Sequence, residues 1–326
     1  MDSSEINTPT ANTGFTDIDS LSTTIPLASP DFKSGFIAIV GRPNVGKSTL
    51  MNHLIGHKIA ITSPVAQTTR NRLRGILTTP QAQIVFVDTP GIHKPHHELG
   101  KVLVQNAKIA IESVDLVLFV VDGSSEAGTG DRFIFDLLKK IDPPVVLGLN
   151  KIDLQPTNYQ FIDDTYADLI ADTNWSTVKF SATNGTGTQD LQQTLISKLE
   201  TGPYYYPPDL VTDRPERFII AELIREQILL HTRQEIPHSV AITIEKLEEL
   251  PKITKVNAAI NIERSSQKGI LIGKKGTMLK TIGSAARQQI QKLIAGKVHL
   301  ELFVKVEPKW RQSRLRLAEF GYKVEE

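Results

Sequence analysis

Short, continuously apolar runs punctuate the first half of the chain: Phe36 to Val40, Ile84 to Val87 and Val145 to Leu149. Runs of this kind, rich in β-branched residues and without alternation, suit strands buried on both faces of a parallel sheet. Between the first and the second the period changes, and from Ser48 onward Leu50, Met51, Leu54 and Ile55 recur at helical spacing. The pattern predicts an α/β domain, a mostly parallel sheet with helices on both faces.

A different pattern follows. Gly202-Pro203-Tyr204-Tyr205-Tyr206-Pro207-Pro208-Asp209 breaks helix and strand alike and reads as a linker. Phe218 to Leu230 then has the spacing of an amphipathic helix, and Val240 to Glu245 and Val256 to Ile262 read as strands. Leu279, Ile282, Ala286, Ile290 and Leu293 mark one helix face. Val298 to Val306 alternates strictly, so one face belongs to a core and the other to solvent. The expected division is a disordered tail over 1–34, an α/β domain over 35–202, a linker over 203–216 and an α+β domain over 217–326 that ends in a helix.

Composition sharpens this division. The chain has 326 residues, 40% of them hydrophobic, enough for two cores. Net charge is +1, but from Arg217 onward about twenty Lys and Arg stand against about a dozen acids. That asymmetry points to a polyanion partner for the second domain. The absence of Cys excludes a disulfide framework and a Cys-based metal site, and suits a reducing cytosol. No apolar run approaches the roughly 18 residues of a membrane span. The first 34 residues are Ser-, Thr-, Asn- and Pro-rich and carry five acids but one base, Lys33, unlike a signal or transit peptide.

The chemistry sits at the ends of the apolar runs. Gly41-Arg42-Pro43-Asn44-Val45-Gly46-Lys47-Ser48, with Thr49 behind it, joins a strand to a helix. This is a phosphate cradle: glycines let backbone N–H groups face the phosphates, the helix N-terminus adds partial positive charge, Lys47 reaches the β- and γ-phosphates, and the Ser48 hydroxyl binds Mg²⁺. Asp88 ends the second run and is placed to hold Mg²⁺ through water, while the Gly91 N–H meets the γ-phosphate. One of Thr68 and Thr69, preferentially Thr69, completes the Mg²⁺ shell. Asn150-Lys151-Ile152-Asp153 reads guanine, because Asp153 accepts from N1–H and the exocyclic amine, and adenine offers neither donor. The Lys151 stem lies along the base, Asn150 ties this loop to the cradle, and a backbone N–H of Ser181-Ala182 meets guanine O6. The site therefore accepts GTP or GDP with Mg²⁺ and rejects ATP. His93, His96 and His97 lack the partners of a metal site and read as a solvated loop.

These motifs resemble those of the translation-factor-type P-loop GTPases from Gly35 to about Tyr205. One departure concerns catalysis: Ile92 stands where many Ras-like relatives carry the Gln that orients water. Either hydrolysis is slow and a partner completes the site, or another arrangement positions the water; intrinsic turnover on the order of 10⁻⁴ to 10⁻² s⁻¹ is expected. In relatives that share Asn-Val-Gly-Lys-Ser, the residue matching Asn44 helps hold K⁺ against the phosphates. The resemblance thus places Lys47, Asn44, Thr69 and Gly91 in catalysis. Equal rates in potassium and sodium buffers would remove the K⁺ expectation.

In the second domain, the order helix–strand–strand–helix–GxxG–helix–strand around Gly273-Lys274-Lys275-Gly276 resembles a bacterial-type (type II) KH domain. In that fold the two glycines admit single-stranded RNA, and Lys274 and Lys275, with Lys280 beyond them, neutralise phosphates. Trp310, Arg311, Arg314 and Arg316 either extend the RNA surface or belong to a solvated terminal helix.

The tandem, with Gln67-Thr68-Thr69-Arg70, Asp88 to Pro95 and Ile270 to Gly276, resembles the Era family of ribosome-assembly GTPases. The resemblance implies a cytoplasmic switch that binds 16S ribosomal RNA near its 3′ end when loaded with GTP and leaves on hydrolysis during 30S maturation. It also implies peripheral contact with the inner membrane and no DNA partner. A tRNA-modification GTPase would carry a further catalytic domain or a terminal Cys, and a P-loop kinase is at odds with Asn150 and Asp153. Gating of RNA binding by the γ-phosphate, across the 203–209 linker, is expected.

Overall fold

The computed structural model describes residues 25–63, 73–89, 102, 105, 107, 109–233, 236–294 and 296–322. The apolar runs become strands of one six-stranded sheet: β1 (Lys33–Val40), β2 (Leu73–Thr78), β3 (Ala82–Asp88), β4 (Leu116–Asp122), β5 (Val145–Asn150) and β6 (Ser176–Lys179), in spatial order β2-β3-β1-β4-β5-β6. β2 runs antiparallel to β3, and the other pairs are parallel. Every residue of β3 and β5 is buried, as their unalternating sequences demand.

Helices cover both faces. α1 (Lys47–Ile55) packs Leu50 and Met51 against one face with Ile37, Ile39 and Phe86. On the other, α2 (Thr129–Leu138) and α3 (Gln160–Ile170) bring Ile134, Leu138, Ile162 and Tyr166 to Ala38, Val40 and Phe119. α4 (Thr188–Lys198) returns to the first face through Leu191 and Leu195. Parallel pairing gathers the carboxyl ends of β1, β3 and β5 at one edge, where open α/β sheets hold ligands.

The second sheet has the order β7-β8-β9, from β7 (Ala241–Leu250), β8 (Ile253–Ile262) and β9 (Lys297–Val306). β7 and β8 are antiparallel, and β8 and β9 parallel. α5 (Glu216–His231) precedes this sheet, α6 (Ser265–Ile272) and α7 (Thr277–Ile290) cross from β8 to β9, and α8 (Arg314–Glu319) follows. The alternation of β9 is realised: Val298 and Val304 are buried, while His299, Glu301, Phe303 and Lys305 face outward.

The structure departs from the sequence expectations in four places. Order begins before the expected end of the tail: β1 starts at Lys33, and buried Phe32 packs on Tyr204 with ring centroids 4.2 Å apart. The rest of the expected tail, 1–24, lies outside the described residues.

The linker is irregular, as its prolines require, but it is not free. The buried Gln83 side chain accepts from the N–H groups of Tyr205 (2.8 Å) and Tyr206 (3.0 Å) and donates to the Tyr206 carbonyl (2.9 Å). Further on, the edge strand β2 donates its Ile76 N–H to the Val211 carbonyl at 2.9 Å, and Arg74 pairs with Asp213 at 2.8 Å. Any joint between the domains thus lies after Asp213 and not at 203–209.

α5 is not simply amphipathic, because Arg225, Glu226 and Gln227 are buried together with its apolar residues. Finally, Trp310 is neither RNA surface nor solvated: it is fully buried, and its Nε1–H donates to the Ser239 carbonyl at 2.9 Å. Arg311 bonds Glu263, and Arg316 pairs with Glu307 and Glu319.

Candidate functional site

The phosphate cradle forms between β1 and α1. Gly46 adopts φ 97°, and a Cβ there would lie 2.2 Å from Asn150 Nδ2, so glycine is required on both counts. Asn44 takes the left-handed conformation at φ 65°, which Asn tolerates better than most residues. Lys47 Nζ donates to the carbonyls of Gly41 (3.1 Å) and Arg42 (3.0 Å), which aims the ammonium across the loop. Ser48 Oγ donates to Asp88 Oδ2 at 2.8 Å. A hydroxyl and a fully buried carboxylate are the hard oxygen donors that Mg²⁺ takes alongside phosphate oxygens, so Ser48 and Asp88 fit the expected ion. Among the described residues no group of three His, Cys, Asp or Glu makes a separate metal cage.

Burial pushes the Lys47 ammonium down to about 8 from its ordinary 10.5, against the pull of Asp88. Above that pH the side chain is increasingly neutral, and a phosphate seated on it draws the proton back. Calorimetry of GDP binding in buffers of different ionisation enthalpy is therefore expected to show proton uptake that grows from about pH 7 to about pH 9, with Kd weakening over the same interval. Heats independent of buffer throughout would contradict this. In the protein alone the sign is opposite. The folded value lies below the unfolded one, so the stability penalty is full below about pH 8 and fades toward 10.5.

The Asn150–Asp153 loop, expected to read guanine, closes the other side. Asn150 is the hub: its Nδ2–H donates to the Val45 carbonyl at 2.8 Å, and its Oδ1 accepts from the Ala182 N–H at 2.9 Å. It thereby ties the cradle to the Ser181-Ala182 loop, so the N–H expected at guanine O6 donates within the protein here. Lys151, at φ 66°, donates from Nζ to Asp122 Oδ2 at 2.6 Å. Burial opposes ionisation of Asp122, but hydrogen bonds from Lys151 and Ser124 outweigh it and hold the carboxyl below its ordinary range. Asp153 is exposed in a single 3-10 turn, Ile152–Leu154, open to a base edge. The Arg42 guanidinium is turned to Asp131 at 2.7 Å. Its backbone carbonyl, not its side chain, faces the site.

In the second domain Gly273 (φ 71°), Lys275 (φ 53°) and Gly276 (φ 79°) form the turn between α6 and α7. Lys274, Lys275 and Lys280 are exposed around it, and the N-terminus of α7 adds its partial positive charge. Ile270, just ahead of the turn, is about half exposed at 52%.

Sequence reasoning missed the residues that connect the two sites. Glu226 of α5, 1% exposed, accepts from Lys58 Nζ at 2.6 Å and from the Thr62 N–H at 2.8 Å. Phe218 and Glu222 of the same helix line a cleft with Ile59, Ile61, Leu73 and Asp88. Polar residues on a helix read as its solvent face, so no local signal marks them. Thr68, Thr69, Gly91, Ile92 and the three histidines at 93, 96 and 97 lie outside the described residues.

Comparison with known proteins places this geometry. Residues 36–151 match the family of 50S ribosome-binding GTPases, and 235–311 match the KH domain family. The chain is 72% identical over 310 residues to GTPase Era of Crocosphaera subtropica, covering 95% of this chain and 98% of that one. It is 71% identical over 302 residues to GTPase Era of a Nostoc species, with 93% of each covered. Two solved structures superpose at TM-score 0.86 with 38% identity, over 89% of this chain and 99% of theirs. One is an Aquifex aeolicus Era variant bound to GDP and AlF₄⁻; the other is Era with MgGDPNP and nucleotides 1506–1542 of 16S ribosomal RNA.

Proposed function

This chain belongs to the GTPase Era family, and on that premise we propose that it is a Mg²⁺-dependent GTPase switch that binds 16S ribosomal RNA near its 3′ end and assists small-subunit assembly. One observation carries the reading: among the described residues, the phosphate loop, Asp88 and the Asn150–Asp153 loop converge at one edge, and an exposed Gly-Lys-Lys-Gly turn lies on the same chain, whose helix α5 touches the nucleotide side directly. The match to 50S ribosome-binding GTPases is confined to 36–151 and does not reach the turn. The choice of 16S RNA rests instead on a relative that superposes over both domains and holds that RNA.

In this reading residues 35–202 are the switch and 217–326 the RNA reader. Lys47, Thr69 and Gly91 meet the γ-phosphate, Ser48, Thr69 and Asp88 hold Mg²⁺, and Lys274, Lys275 and Lys280 meet RNA phosphates. Asn44 holds K⁺, subject to the comparison of potassium and sodium buffers. The reading also takes the 30S particle as the partner and the cytoplasm, with peripheral contact at the inner membrane, as the place of action. No helix among the described residues is long and apolar enough to cross a membrane.

Nucleotide control of RNA binding runs through Glu226. Its contacts hold the backbone at Thr62, and Asp213 and Thr212 hold Arg74 through its side chain and carbonyl. Thr62 and Arg74, on either side of the stretch that contains Thr69, are thus held by the second domain and the linker. RNA affinity is expected to differ by on the order of tenfold between GDPNP- and GDP-loaded wild type. Glu226→Gln, which keeps the shape but not the charge facing Lys58, should bring that ratio near one. An undiminished ratio in the variant would rule out this route.

A further inference from the structure

We propose that Arg42 is a positioning residue for the phosphate loop, acting through Asp131 on α2. The inference rests on the nucleotide-site reading and adds a residue pair outside the usual ligand set. Arg42 Nε donates to Asp131 Oδ1 at 2.7 Å, and Asp131 is fully buried. The other carboxylate oxygen accepts from the Gly128 N–H at 2.9 Å, the reciprocal bond that starts α2. The carboxylate is therefore held by its own helix as well as by Arg42, whose backbone belongs to the phosphate loop.

Close packing enforces the alignment. The Arg42 stem lies across Gly130 so tightly that a Cβ there would sit 2.5 Å from Arg42 Cδ. The charged and titratable groups around the guanidinium are Asp131, Tyr166 and Asp122. The Tyr166 hydroxyl donates to the Asp122 carbonyl at 3.1 Å, and the Asp122 side chain holds Lys151. The network therefore reaches from the phosphate end of the site to the base end.

The consequence for phosphate lies in the Arg42 carbonyl, which accepts from Lys47 Nζ at 3.0 Å. An anchored Arg42 fixes that carbonyl and with it the direction of the lysine, so less ordering is left to occur when phosphates bind. With its guanidinium committed to α2, Arg42 does not act as an arginine finger in cis.

A double-mutant cycle on full-length protein, read as the dissociation rate of fluorescent GDP, tests this. Arg42→Gln and Asp131→Asn are each expected to release GDP about tenfold faster, and the double variant no faster than either. Arg42→Lys, a charge without the planar fork, should recover part of the loss. Melting temperatures of the same proteins without nucleotide separate loop positioning from general destabilisation. Arg42→Gln, at a side chain that is 32% exposed, is the variant that folds even if Asp131→Asn does not. Wild-type release rates in the single variants, additive effects in the double, or rates that merely track melting temperature would each overturn the proposal. Failure of wild type itself to bind GDP would instead overturn the reading of the site.

Discussion

Asp153→Ala is expected to weaken GDP and GTP binding by about a thousandfold and to leave the weak binding of ATP unchanged. The magnitude follows from two charge-assisted hydrogen bonds, to guanine N1–H and the exocyclic amine, each contributing about 1.5–3 kcal/mol. Because the carboxylate is exposed, water satisfies it when the wrong base enters, which places the effect in the middle of that range. The rest of the reader remains intact in this variant. Asn150 still ties Val45 to Ala182, and Lys151 still pairs with Asp122. Competition of unlabelled GDP and ATP against fluorescent GDP gives both numbers, and a loss below about tenfold would remove Asp153 from base recognition.

The second large effect concerns RNA. Gly276→Asp should lower affinity for a single-stranded 16S 3′-end fragment by at least about a hundredfold while the fold persists. Choice of glycine matters. At Gly273 a Cβ would lie 2.7 Å from Met278 Cβ and 2.9 Å from its backbone nitrogen, so substitution displaces the start of α7. At Gly276 a Cβ meets nothing within 4 Å, and the remaining cost is the positive φ, which Asp bears better than most residues. That cost is about 1 kcal/mol. The new carboxylate repels the phosphate that the turn would admit between Lys274 and Lys275. Anisotropy titration measures the affinity, and unchanged GDP binding in the same sample reports an intact first domain. Wild-type RNA affinity would dissociate the turn from RNA binding.

What could be read from sequence was whatever a contiguous stretch specifies. Gly41 to Ser48 and Asn150 to Asp153 carry their chemistry in spacings of a few residues, and the alternation of Val298 to Val306 states which side is covered. Pairings across long separations were not legible. Arg42 and Asp131 are 89 residues apart, and Lys58 and Glu226 are 168 apart. Glu226 sits among residues that suggest a solvated helix face, and its burial exists because two domains close on α5. The linker teaches the same lesson. Its prolines announce irregular backbone, but Tyr204 and Tyr205 pack on Phe32 and Phe36, contacts that no local periodicity encodes. Strands β2 and β4 also went unread: β2, at an edge, lacks a continuous apolar run, and β4 has one but carries no motif at its end.

Whether one chain reads guanine nucleotide with one domain and small-subunit RNA with the other is decided by sequencing the RNA crosslinked in cells to wild type and to Gly276→Asp. The 3′ end of 16S ribosomal RNA should be enriched with wild type and lost in the variant. Enrichment of transfer RNA, or a 16S signal unchanged by the substitution, would contradict it.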